Sequence, residues 1–176
     1  DQSLRFNDDD SAYLSRTPST TGDRQKWTWS GWVKRGNLEY VDFFSSDNGT
    51  ARSSYRFNAD GSIGISCNPT GSTWYNNYTS ALYRDCSAWY HIVLSVDTTQ
   101  ATATNRMRLY VNGELVTSYS TQDNIPQNSN TPENTSGIAS AIGRYENGDS
   151  RYFDGYLAEV NFIDGQALDA DDFGEF

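Results

Sequence analysis

The chain has 176 residues, enough for one domain over 1–176 and for folding to bury roughly 70% of the unfolded surface. Its 23 acidic residues outnumber 13 basic ones for a net charge of −10, and the basic residues are scattered rather than patched, which excludes a nucleic-acid backbone as partner. No apolar run approaches the roughly 18 residues of a membrane-inserting span, and an aromatic content of 14% excludes disorder and suits a β-protein with an amphipathic binding surface.

Strand signals run from end to end. Residues 3–7 read as a short strand with Leu4 and Phe6 on one face, and after the acidic turn Asp8-Asp9-Asp10 an extended run resumes over 12–15. Residues 27–34 alternate, with Trp27, Trp29, Gly31 and Val33 facing one way and Thr28, Ser30, Trp32 and Lys34 the other. A strand over 41–44 is followed by a turn over 45–49. Asp60-Gly61 and Asn112-Gly113 each lie between β runs, and both are expected to close hairpins through type I′ turns, whose positive φ values these dipeptides accept. Between them, Tyr90, Ile92, Leu94 and Val96 form the core side of a central strand.

Residues 100–105 and 121–137 lack periodicity, and the second stretch contains Pro126 and Pro132; both are expected to be mobile loops. The last strand, 155–163, changes phase between Leu157 and Val160, which places a bulge near Ala158-Glu159. The acidic tail around Leu168 and Phe173 fits one helical turn. Short strands with turns at close intervals, no repeat and no break in composition describe an all-β fold, one antiparallel β-sandwich. Cys67 and Cys86 either pair, closing a loop of about 20 residues worth roughly 3 kcal/mol, or stay as two free thiols. With a single histidine, His91, they cannot complete a four-ligand zinc site.

Three stretches, taken in order and spacing, resemble the laminin G-like branch of the concanavalin A-like lectin/glucanase jelly rolls over nearly the whole chain. They are Leu4-Arg5-Phe6-Asn7 to Tyr13-Leu14; Ala88-Trp89-Tyr90-His91-Ile92-Val93 followed by Arg108-Leu109-Tyr110-Val111-Asn112-Gly113; and Ile142-Gly143-Arg144 to Phe153-Asp154-Gly155-Tyr156-Leu157-Ala158-Glu159-Val160. The wording of Trp27 to Arg35 and of Phe162 to Leu168 is most similar to copies in virion and tail-associated proteins of marine bacteriophages. That resemblance implies a module cut from a longer chain, working outside the cell on a virion beside other virion proteins. The polar opening at Asp1, with no charged and apolar leader, agrees with such an excised piece. The jelly roll it implies binds carbohydrate on a concave face or on rim loops in many members, often beside a calcium ion.

Glucanases of this superfamily carry acidic residues close together on one strand, so that two carboxyls flank the glycosidic bond. The six glutamates here, Glu39, Glu114, Glu133, Glu146, Glu159 and Glu175, are isolated from one another, and His91 falls inside a core strand, so no catalytic set is expected. Calcium takes six to eight hard oxygens and tolerates loose spacing. Asp8, Asp9 and Asp10 in the first turn, with Asp154 and Glu159 near the last strand, are the candidate ligands, against the alternative of a solvated acidic loop. Asp169-Ala170-Asp171-Asp172 lacks the Glu that would complete a calcium loop.

A sugar site needs an aromatic platform for the apolar face of a pyranose and planar polar groups for its hydroxyls. Trp74, Tyr75, Asn77 and Tyr78 supply both within one short stretch, Arg144, Tyr145, Asn147 and Asp149 form a second such loop, and Tyr55 and Arg56 are expected to face the same groove. The function expected is a non-catalytic module that recognises a cell-surface glycan or polysaccharide. A decoration module that binds no sugar is the second reading, and a glycoside hydrolase the third.

Overall fold

Alternating side chains along thirteen short strands build two facing sheets, and the computed structural model describes residues 3–146 and 150–174. The strands are β1 (Ser3–Phe6), β2 (Leu14–Arg16), β3 (Lys26–Arg35), β4 (Val41–Asp47), β5 (Arg52–Phe57), β6 (Ile63–Asn68) and β7 (Tyr75–Thr79). They continue as β8 (Tyr90–Asp97), β9 (Met107–Val111), β10 (Glu114–Leu115), β11 (Tyr119–Gln122), β12 (Ser140–Ile142) and β13 (Gly155–Asp164). One sheet has the order β1-β13-β3-β8-β9-β10 and the other β11-β7-β6-β5-β4-β12-β2; the pairings are antiparallel throughout. The expected jelly-roll sandwich is the fold observed. Among the described residues no helix is long and apolar enough to cross a membrane.

The core between the sheets is unusually aromatic. Trp27, Trp29 and Val33 point into it from β3, with Ile92, Leu94 and Val96 beside them on β8. Across the sheets Trp29 lies 5.3 Å from Phe43 and stacks on Phe44 at 5.9 Å between centroids, and Trp27 meets Tyr55 edge-on at 6.1 Å, so the two sheets interlock through large rigid rings.

Both Gly-containing hairpins form, by different routes. Asn112 and Gly113 both have positive φ, 51° and 85°, as a type I′ turn requires. At the other hairpin only Gly61 does, at 91°. Gly61 N–H there donates to the Asn58 carbonyl and Asn58 N–H to Ser62, which is a wider loop ending in a left-handed glycine, not the two-residue turn expected. The bulge falls where the phase change puts it: the β13–β3 register shifts between Ala158 and Asn161, and Glu159 sits at φ 51°.

Three sequence expectations are corrected. The turn over 45–49 begins later, at Asn48, because Ser45 and Ser46 are buried in β4 and paired to β5 and β12. Asp47 and Asn48 side chains then accept from Gly49, Thr50 and Ala51 N–H groups and close the turn. Residues 121 and 122, the start of the expected loop, are instead the end of β11, which is added to β7. The segment after it is fastened rather than free: Ile125, Thr131 and Glu133 are buried, and Thr131 Oγ1 accepts the Trp27 indole N–H at 2.9 Å. Cys67 is buried in the core and Cys86 half-buried before β8; both are free thiols.

The tail forms a 3₁₀ turn over Ala170–Phe173 that covers Val93 and Tyr110 on the outer side of the six-stranded sheet. Its acids have a local purpose. Asp169 and Asp172 form a capping box at the start of the turn.

Candidate functional site

The outer face of the seven-stranded sheet carries a groove of about 330 Å³ built mainly from neighbouring strands. Period-two alternation puts Phe57 and Tyr55 of β5 in the core and Ser54 and Arg56 on the outer face. The register then lines Arg56 up with Gly64 of β6 and Tyr78 of β7, and Ser54 with Ser66, which pairs in turn with Asn76. Gly64 matters here because a Cβ on it would stand 3.2 Å from Arg56 Cζ. Its absence lets the guanidinium lie across β6 and reach the Tyr78 hydroxyl at 3.0 Å.

Arg56 also donates through Nε to Asn58 Oδ1 at 3.0 Å and through Nη1 to Ser54 Oγ at 3.0 Å and Ser66 Oγ at 2.8 Å. Ser66 Oγ donates onward to Asn76 Oδ1 at 2.8 Å. The Arg56 guanidinium stands 5.0 Å from the Tyr40 ring and 5.2 Å from the Tyr78 ring. A second arginine closes the other end. Arg151 lies 3.7 Å from the Tyr145 ring and 5.1 Å from that of Tyr40, and its Nε meets Asp42 Oδ2 at 3.3 Å. Asp42 also accepts from Ser54 Oγ and has no exposed surface. Burial pushes its carboxyl up to about 6, against the opposing pull of Arg151, the Ser54 hydroxyl and Arg56. Trp74 lines the groove with its indole 37% exposed.

The expected sugar-site residues therefore separate. Arg56, Trp74 and Tyr78 come together in the groove, with Tyr145 under Arg151 at its edge. Tyr55 does not face it: the ring is buried in the core and its hydroxyl donates to Glu133 at 3.1 Å. Tyr75 and Asn77 also turn inward, opposite Cys67 and Ile65 on β6, because they alternate with Asn76 and Tyr78. Arg144 stands 3.6 Å from the Tyr13 ring and pairs with Glu146 at 3.0 Å. Asn147 and Asp149 lie outside the described residues. The sequence reading missed Tyr40, Asp42, Ser54, Ser66 and Arg151. Ser54 and Ser66 were findable, being polar positions of alternating strands; Tyr40 and Arg151 lie outside the strands and carry no such signal.

The calcium candidates do not converge. β1 pairs with β13, which brings the first turn beside Asp154; burial, then Asp8, and more weakly Asp9, raise the Asp154 carboxyl, with Arg5 opposing. Asp10 instead accepts from Asn7 Nδ2 at 2.8 Å. Glu159 follows Ala158, which pairs with Ser3 at the far end of the same ladder, and there it opposes the lowering of the His91 pKa by burial. Among the described residues no three His, Cys, Asp or Glu side chains are grouped as a metal ion requires, so this set does not fit calcium. His91 packs against Trp32 at 5.0 Å and Phe173 at 6.2 Å on the opposite sheet from the groove.

Residues 7–172 match the concanavalin A-like lectin/glucanases superfamily. No curated protein matches the sequence. Among solved structures, the carbohydrate-binding module of a Ruminococcus gnavus sialidase bound to α2,3 sialyllactose is 17% identical, with a TM-score of 0.60 over 90% of this chain and 95% of that one. Domain 4 of an arabinanase from Geobacillus stearothermophilus, in complex with arabinotriose, is 20% identical, with a TM-score of 0.58 over 83% of this chain and 64% of that one. The mouse laminin α1 chain domains LG4-5 are 12% identical, with a TM-score of 0.64 over 96% of this chain and 43% of that one. At these identities the likeness concerns the fold.

Proposed function

Since the chain belongs to the concanavalin A-like lectin/glucanases superfamily, we propose that it is a non-catalytic carbohydrate-recognition module whose ligand lies in the groove on the seven-stranded sheet. The observation that carries this reading is an exposed indole, Trp74, at the edge of a groove whose lining of Ser, Asn, Tyr and Arg side chains stands mainly on hydrogen-bonded strands. An indole covers the apolar face of a pyranose, and planar side chains already fixed by their neighbours bind hydroxyls at little cost in lost freedom. The two sugar complexes among the structural neighbours support the same ligand class.

Glycoside hydrolysis takes two carboxyls flanking the bond. Among the described residues that line the groove or bond to its side chains, the one carboxyl is Asp42, which is sealed beneath Arg151 and out of reach of a ligand; this supports the non-catalytic part of the reading.

In this proposal the domain is one module of a longer chain and attaches a virion to a surface glycan outside the cell. The support is the phage-like wording of Trp27 to Arg35 and Phe162 to Leu168. Calcium has no part in the proposed mechanism, because among the described residues the candidate carboxylates do not gather into one ligand set. A decoration module is the second reading, favoured by Trp89 and Tyr156. These rings lie 6.4 Å apart, partly exposed, beyond the six-stranded sheet, where a neighbouring virion protein could pack on them.

A glycan array that includes bacterial surface polysaccharides, probed with the domain in calcium and again in chelator, tests the proposal. Selective binding, equal in both arms, is expected. Silence in both arms would reject recognition and favour the decoration module, and binding lost in chelator would restore calcium to the site.

A further inference from the structure

The groove is cationic in a protein that is not. Of the 13 basic residues set against 23 acidic ones, Arg56 and Arg151 both line it, and they share one buried carboxyl, Asp42. Arg56 is 4% exposed. Its hydrogen bonds go to neutral oxygens alone, those of Asn58, Ser54, Ser66 and Tyr78, and among the described residues it forms no ion pair. Among the described residues, two guanidinium groups facing the one carboxyl of Asp42 leave a net positive charge in the groove, which is unfavourable unless something else supplies the opposite charge. Arg151 is directional as well. Nε goes to Asp42 and Nη1 to Tyr40 and Ser54, while Nη2 makes no hydrogen bond among the described residues.

Flanking rings hold both guanidinium groups in place, Tyr40 and Tyr78 for one and Tyr40 and Tyr145 for the other. Each fixed guanidinium still has an Nη2 N–H to offer, so the two together match the two oxygens of a carboxylate at little cost in entropy, which a neutral hydroxyl cannot do. Protein walls around the groove lower the effective dielectric, which makes that charge pairing stronger than it would be on an open surface.

Resting on the carbohydrate reading above, we propose that the ligand is an acidic sugar, one whose carboxylate sits between Arg151 Nη2 and Arg56 while its ring lies against Trp74. The carboxylate then completes a charge balance that the described residues leave open, and the domain selects acidic over neutral polysaccharides.

The test is a panel of matched oligosaccharide pairs, each a carboxylate-bearing glycan and its methyl ester: galacturonate, glucuronate, mannuronate, guluronate and sialyllactose, with sulfated and neutral oligosaccharides beside them. For at least one pair the acid should bind about tenfold or more tightly than the ester, the scale of one charge-assisted hydrogen-bonded pair. Arg151→Gln should bring the acid-to-ester ratio close to one. Equal binding of acids and esters by the wild-type protein would overturn the inference and leave sugar recognition standing. Sulfated glycans binding as well as the acids would overturn the carboxylate assignment. No binding to any oligosaccharide would remove both the inference and the reading it rests on. The wild-type comparison decides even where Arg151→Gln proves unstable, and Arg56→Lys, which keeps the charge but loses the fork, should reduce the acid-to-ester ratio.

Discussion

Arg151 covers Asp42, Nε to Oδ2 at 3.3 Å, and seals a carboxyl that has no contact with solvent. Burial outweighs the arginine and pushes that carboxyl from 3.8 up to about 6. The folded protein therefore keeps a proton that the unfolded chain releases, and stability falls as pH rises from about 4 through about 6. At neutral pH the loss from this group is on the order of 3 kcal/mol. Asp42→Asn cannot titrate, so the gap between urea midpoints at about pH 4 and about pH 7 should narrow; an unchanged gap would contradict the assignment.

Glu133 shows the same sign at a different place. Oε1 accepts from the Ser53 and Tyr55 hydroxyls, Oε2 has no partner, and burial raises the carboxyl above its ordinary range. Stability from this group is complete at pH below about 4.5 and is lost as pH rises through the higher folded value. Glu133→Gln keeps the shape without the charge, so it should match the wild type at low pH and exceed it near pH 8. Equal urea midpoints near pH 8 would contradict this.

Thr131 anchors the long segment after β11 by accepting the Trp27 indole N–H at 2.9 Å and donating to the Arg24 carbonyl at 3.0 Å. Thr131→Val has nearly the same shape and leaves the Trp27 indole N–H unpaired, while the Arg24 carbonyl keeps the Thr131 backbone N–H at 3.0 Å; it should cost about 1 to 2 kcal/mol. In a double-mutant cycle with Trp27→Phe the losses should be less than additive, since one partner is already gone. Additive losses would show that the hydrogen bond contributes nothing.

Glu159 holds φ at 51° in the β13 bulge, a conformation that costs a side-chain-bearing residue about 1 kcal/mol or more. Glu159→Gly relieves that cost while adding freedom to the unfolded chain. A gain of a few tenths to about 1 kcal/mol in chemical denaturation is expected, and a loss of similar size would mean that the side chain itself supports the bulge.

The fold was legible because period-two alternation and turn chemistry leave clear marks. Trp27, Trp29 and Val33 were assigned one face, and the phase change in β13 located the bulge at Glu159. Buried serines defeated the same reasoning: Ser45 and Ser46 look like turn residues, yet in β4 their hydroxyls bond to the carbonyls of Arg144 and Ala139. The groove was half legible. Arg56, Trp74 and Tyr78 were chosen for their chemistry, but Tyr55, Tyr75 and Asn77 were grouped with them by closeness in sequence, where adjacent strand residues face opposite ways. Arg151 and Tyr40 meet Arg56 only through tertiary folding, from loops distant in sequence.

The most direct test of sugar recognition in the groove compares the wild type with Trp74→Ala on one glycan array, with thermal midpoints measured alongside. Trp74 is partly exposed, so its removal should shift the midpoint by no more than about 2 °C while abolishing glycan binding. Glycan binding that survives in a folded Trp74→Ala protein would contradict the account.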